Sequence, residues 1–227
     1  MFSFKGYSSS GTNTHLEHLE DSIINDGAKG GRNAIAFLKS LQKMIVGNSS
    51  QKVNVTVKWD GAPALVCGIN PENNKFFVGT KSVFNRTPKI NYTVSDINRN
   101  HSGPVASKLQ VCLRELKKLG IRGILQGDLL FTSDDKKVVS IDGQSMISFT
   151  PNTITYALPV DSSAGRKVAR ARLGIVFHTQ YNGNAMDSLN ASFGYVRGIN
   201  SASVFVPSAQ YKDCLLYTSD AADEKYR

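Results

Sequence analysis

Asp142-Gly143 stands between two runs rich in apolar and β-forming residues, VVSI and QSMISF. An Asp-Gly pair accepts the left-handed conformations that a two-residue hairpin turn demands, so the flanking runs must pair antiparallel. Further short apolar runs are bounded by turn chemistry: VNVTVKW, PALVCGI, KFFVGTKSVF, GILQGDLLF, TITYALPV and RLGIVFHTQY. The turn NPENN joins the second of these to the third. Helical spacing appears in three places. THLEHLEDSIINDG carries Leu16, Leu19, Ile23 and Ile24, with Thr14 as N-cap and Gly27 as stop. GRNAIAFLKSLQKMIVG places Ile35, Leu38, Leu41 and Ile45 on one face and ends at Gly47. PVASKLQVCLRELKKLG starts after Pro104 and ends at Gly120. The expected fold is α+β with a mixed, mostly antiparallel sheet. Residues 1–50 supply N-terminal helices and residues 51–213 the sheet core.

A chain of 227 residues that is 41% hydrophobic can bury a sizeable core and is not a disordered segment. No run is long and apolar enough for a membrane span, and the N-terminus lacks the apolar stretch of a signal peptide. A cytoplasmic, monomeric protein with no membrane partner is the expectation. Cys67, Cys112 and Cys214 show no metal-ligand spacing. The formal charge of +9 and pI near 9.5 favour a polyanionic partner such as nucleic acid. The densest basic run is RKVARAR, with Arg166, Lys167, Arg170 and Arg172. Both a solvated helix face and a phosphate-backbone contact fit it. His15 and His18, with Glu17 and Glu20, read as a solvated helix face rather than a metal site. His101 and His178 are isolated, and no phosphate-binding G-x-x-x-x-G-K-[ST] occurs.

Lys58 ends an apolar run and is followed by Trp59, Asp60 and Gly61. A lysine there is costly to desolvate unless paired or used. Lys58-Trp59-Asp60-Gly61 resembles the K-x-D-G nucleophile motif of ATP-dependent DNA and RNA ligases and mRNA-capping enzymes. The resemblance implies a nucleotidyltransferase domain that takes ATP and Mg²⁺, forms lysyl-AMP at Lys58, and joins a 5′-phosphate to a 3′-hydroxyl of nucleic acid. It implies a lysine made partly neutral by burial and nearby cations, Asp60 orienting the amine, and Gly61 letting backbone approach phosphate. FFVGTKSV is similar to the family's second element and puts Lys81 on the nucleotide and the nucleic-acid end. Gly127-Asp128-Leu129 resembles the carboxylate element, with Asp128 on the sugar or the metal. LGIVFHTQY resembles the purine-stacking element, with Phe177 as the ring, although His178 stands where the family has Asp. The family's later metal-carboxylate strand and K-x-K triphosphate lysines are not found after Tyr181. A non-catalytic nucleic-acid-binding protein that retains the fold is the alternative.

The final stretch, CLLYTSDAADE, resembles translated sequencing adapter, so residues 214–227 are expected to be a non-native tail and the domain to be C-terminally truncated and inactive. Without that tail the charge would be +10, because it carries three acids and two bases. GTNTHLEHLED, VKWDGAPA, FFVGTKSVFN, PNTITYALP and GIVFHT together resemble proteins of T4-like marine phages, which implies a phage-encoded protein acting in a bacterial host.

Overall fold

A computed structural model describes residues 19–45, 58–193 and 199–208. The chain divides into two compact units, Met1–Asn54 and Val55–Arg227. In the first, α1 spans Asp21–Ile45 with a break at Gly27, whose φ of 54° is left-handed. The expected stop at Gly27 is therefore a kink between two helical pieces. Thr14, Leu16 and Gly47 lie outside the described residues, as do VNVTV and the terminal segment from residue 209.

The second unit is built on a sheet ordered β2–β1–β3–β7–β8, with β9 also on β7. Its strands are β1 Ala64–Ile69, β2 Phe76–Gly79, β3 Ile124–Thr132, β7 Leu173–Asn182, β8 Asn190–Phe193 and β9 Val204–Phe205. All pairings are antiparallel except β7 with β9. A second sheet runs β4 (Lys136–Ile141), β5 (Gln144–Phe149) and β6 (Tyr156–Pro159). Its first turn is the one read from the sequence: Asp142 and Gly143 have φ of 50° and 76°. The fold is thus α+β with mostly antiparallel sheets. Among the described residues no helix is long and apolar enough to cross a membrane.

Helices cover the strands unevenly. α2 is Val94–Asn100, α3 Gly103–Leu116 and α4 Ser163–Arg170. Period-two alternation sends Leu65, Leu125, Leu129, Ile175 and Phe177 to one face, where α3 packs Ala106, Leu109, Cys112 and Leu116 on them. On the other face Val66, Phe77, Ile124 and Tyr181 form a cluster at one end of the strands. At the other end Leu130, Phe131 and Val176 pack against Ile147 and Phe149 of the second sheet and Val168 of α4. At about 25 cal/mol per Å² of apolar surface buried, these three clusters are the main stabilising term.

Candidate functional site

Between the two clusters on that second face, β3 carries polar residues where alternation calls for apolar ones. Gln126 and Asp128 separate Ile124 from Leu130. Gln126 accepts a hydrogen bond from the Tyr181 hydroxyl, which satisfies it inside the protein. Asp128 pairs in register with Ala64 on one side and Val176 on the other. The register of β3 on β7 slips between Gln126 and Gly127, and the extra residue on β7 is His178. The slip brings His178 Nε2 to 3.6 Å from Asp128 Oδ2, with 18% and 14% of their side chains exposed. Its Nδ1 lies 2.8 Å from Thr179 Oγ1. Asp128 and His178 thus form a partly exposed acid–imidazole pair between two apolar clusters.

Gly61 at the end of the Lys58–Gly61 segment is held against Asp128. Ala62 N–H donates to the Leu129 carbonyl at 2.9 Å and Leu129 N–H to the Pro63 carbonyl at 3.1 Å, so the β1–β3 ladder continues back to the motif. Gly61 lies on Asp128: a Cβ there would sit 2.5 Å from Asp128 Cβ and 2.9 Å from the Leu129 oxygen. Only glycine fits, because nothing backbone-bound can give way. Lys58 is exposed, which corrects the expectation of a lysine partly buried at a strand end, and it pairs with no described residue. β2 is antiparallel to β1 with Gly79 opposite Val66, so the chain leaves β2 toward the Ala64–Asp128 row. Lys81, exposed at the start of a short 3-10 turn capped by Thr80, therefore stands at the same end of the sheet as Ala64 and Asp128. The expected strand KFFVGTKSVF ends early, at Gly79, because Thr80 caps that turn.

Asp60 does something other than orient an amine. Its Oδ1 accepts from Asn152 Nδ2 at 2.9 Å. Its Oδ2 accepts from Thr153 N–H, Thr153 Oγ1 and Ile154 N–H at 2.8, 2.7 and 2.8 Å. The Thr153 hydroxyl and Asn152 amide, followed by the two backbone N–H groups, hold its carboxyl well below the usual carboxylate range. Its own N–H donates to the Tyr156 hydroxyl at 2.8 Å. Trp59 packs its ring at a tilt against the same tyrosine, centroids 5.0 Å apart. Both motif residues thus fasten the Lys58–Gly61 segment to the loop before β6. Asp60 is a positioning residue, and its catalytic assignment is corrected on that ground. The partners lie more than 90 residues away in sequence, so no local spacing announces them.

Phe177 is also corrected. It is 2% exposed and packed among Leu65, Leu125 and Ile175 under α3, on the face opposite Asp128. It has no free ring face for a purine. His178, next in sequence, occupies the site side instead. Of the basic run, Arg166, Lys167 and Arg170 project from α4, whereas Arg172 Nη1 lies 3.8 Å from the buried Glu115 carboxylate. Arg172 is an ion-pair partner rather than part of the same surface.

The fold and site define an α+β protein in which Gly61, at the entry to β1, is set on Asp128 of an acid–imidazole pair. A family model described as a family of unknown function (DUF6267) matches residues 13–225, and the chain belongs to that family. No curated protein and no solved structure matches it.

Proposed function

We propose that the chain is the nucleotide-transferring domain of an ATP-dependent polynucleotide ligase, with Lys58 as nucleophile. The observation that supports this most is placement. Three residues after Lys58, which is exposed and has no partner among the described residues, comes a glycine that can only be glycine, and that glycine lies on Asp128 of a central strand. In the step, the neutral Lys58 amine attacks the α-phosphorus of ATP. An N–P bond forms, the bond to the bridging oxygen breaks, pyrophosphate leaves with the electron pair, and the amine proton passes to solvent. The AMP then moves to a 5′-phosphate, which a 3′-hydroxyl displaces. Catalysis of this kind is positioning and charge neutralisation. Lys81 contributes positive charge at the same end of the sheet. Mg²⁺ is commonly held by one or two carboxylates together with substrate phosphates, and the partly exposed Asp128 is the carboxylate this reading assigns to that role. His178 beside it adds an imidazole to the same surface.

Intact-mass measurement after incubation with ATP and Mg²⁺ tests the reading. One AMP should appear on Lys58 and none on the Lys58→Ala variant. The rate should be low, because K-x-K lysines for the β- and γ-phosphates are missing from the sequence after Tyr181, and each lost 1.4 kcal/mol of transition-state stabilisation costs about tenfold. An adduct on another residue overturns the assignment. The missing lysines also favour the second reading, a nucleic-acid-binding protein without catalysis. That protein would bind oligonucleotides and take no AMP.

A further inference from the structure

We infer that the groove beside α4 is a docking site for single-stranded nucleic acid. It has a volume of about 640 Å³. Arg166, Lys167 and Arg170 of α4 form one wall, and Ile199, Phe205 and Val206 contribute to the other. No Asp or Glu is among its described lining residues. A polyanion therefore meets unopposed cations. The cations are presented by a fixed element. Ser162 caps the first turn of α4 through Gly165 N–H at 2.9 Å. Lys136 Nζ closes the last turn by donating to the Val168, Ala169 and Ala171 carbonyls at 2.9, 3.0 and 2.6 Å. Phe205 is seated on Phe131, rings nearly parallel with centroids 6.1 Å apart. Anchored walls lose little entropy on binding.

The two walls ask for different chemistry from one ligand. Phosphates match the α4 side, and an apolar or aromatic surface matches the other. A duplex turns its bases inward and would leave the apolar wall unused. A single strand offers phosphate on one side and base faces on the other, the combination that single-strand binding grooves use. This deepens the ligase reading by naming where a strand would lie, and it shares only the nucleic acid with it.

The test is fluorescence anisotropy with a short 5′-labelled single-stranded DNA, the same sequence in RNA, and the DNA duplex, across a salt series. Either single strand should bind more tightly than the duplex, and the DNA and RNA arms show which sugar is preferred. The triple variant Arg166→Ala/Lys167→Ala/Arg170→Ala changes exposed positions only, so it should fold. It should bind about tenfold or more weakly and lower the log–log salt slope by about 2, at roughly 0.7 per phosphate contact. Val206→Thr should weaken binding with the slope unchanged. Arg122→Ala, an exposed cation elsewhere, should change neither. Unchanged affinity and slope in the triple variant overturn the site, and duplex binding equal to single-strand binding overturns the single-strand assignment. AMP addition is read separately on the wild-type chain, so its absence with docking intact sinks only the ligase reading.

Discussion

Asp60 and Trp59 show how far a motif residue's task depends on what the fold sets beside it. Four donors converge on the Asp60 carboxylate, all from residues 152–154. Asp60→Asn replaces one acceptor oxygen with an NH₂ that faces donors, so the variant should release that loop while leaving the central sheet intact. Faster amide exchange at Thr153 and Ile154, with β3 and β7 unaffected, is the expected result; unchanged exchange would show that the clamp holds nothing. Trp59 carries the opposite imbalance. Its indole N–H is buried without an acceptor, a state that costs about 1–3 kcal/mol. Trp59→Phe keeps a ring against Tyr156 and removes the orphan donor. Its melting temperature should match or exceed the parent's, and a fall of several degrees would mean that the N–H has a partner after all. Neither role was readable from the sequence, which shows K-W-D-G but nothing of the loop 92 residues on. Lys58 reads from the sequence as the end of a strand over VNVTVKW; it precedes β1 without belonging to a strand, and VNVTV lies outside the described residues.

At the scale of elements, the signals that survived are those with a local physical cause. The Asp142-Gly143 turn fixed β4 and β5, and the heptad-like spacing of Leu109, Cys112 and Leu116 fixed α3. α2 escaped notice although Thr93 and Asp96 form a complete capping box, because its single buried residue, Ile97, leaves too little apolar period. Phe177 was misplaced for a different reason. A strand's face is set by register, and the slip after Gln126 puts His178 rather than Phe177 on the side of Asp128. The close approach of the two strands before β1 gives a direct test. Gly61→Ala forces a methyl into Asp128 and the Leu129 carbonyl, which should cost about 1–3 kcal/mol. The same change should abolish any AMP addition by displacing Lys58. A variant of parental stability would show that the segment has room to shift. Lys136 is the other joint between elements. Lys136→Met keeps an apolar side chain but leaves two α4 carbonyls and that of the C-cap Ala171 without their donor. Chemical denaturation should show a loss of about 1–3 kcal/mol, the usual worth of hydrogen bonds to a charged group.

Across the whole Val55–Arg227 unit, one buried charge ties distant parts of the chain together. Glu115 near the end of α3 has a fully buried side chain. Arg114 Nε and Lys118 Nζ donate to it at 3.0 Å each. Arg172, at the start of β7, stands at 3.8 Å, and Arg172 N–H reaches the Ser203 carbonyl beside β9. The carboxylate therefore joins α3, β7 and the segment leading to β9. Burial works to raise its pKa, but the hydrogen bonds from Arg114 and Lys118, the Lys118 charge and the Ser203 hydroxyl outweigh burial and hold it below its ordinary 4.5. The sign of the pH dependence follows. A carboxyl lowered in the folded state contributes stability that is present above 4.5 and is lost as pH falls through the lowered value. Glu115→Gln removes that contribution at neutral pH. The three cations are each more than half exposed, so they return to water rather than remain as buried unpaired charges. The cost should accordingly be about 1–3 kcal/mol, below the 3–5 kcal/mol typical of breaking a fully buried pair. Denaturant titrations of parent and variant between pH 7 and pH 3 decide it. The two stability curves should run parallel above 4.5 and approach each other below it, and curves that stay parallel to pH 3 would show that Glu115 does not link these elements through its charge.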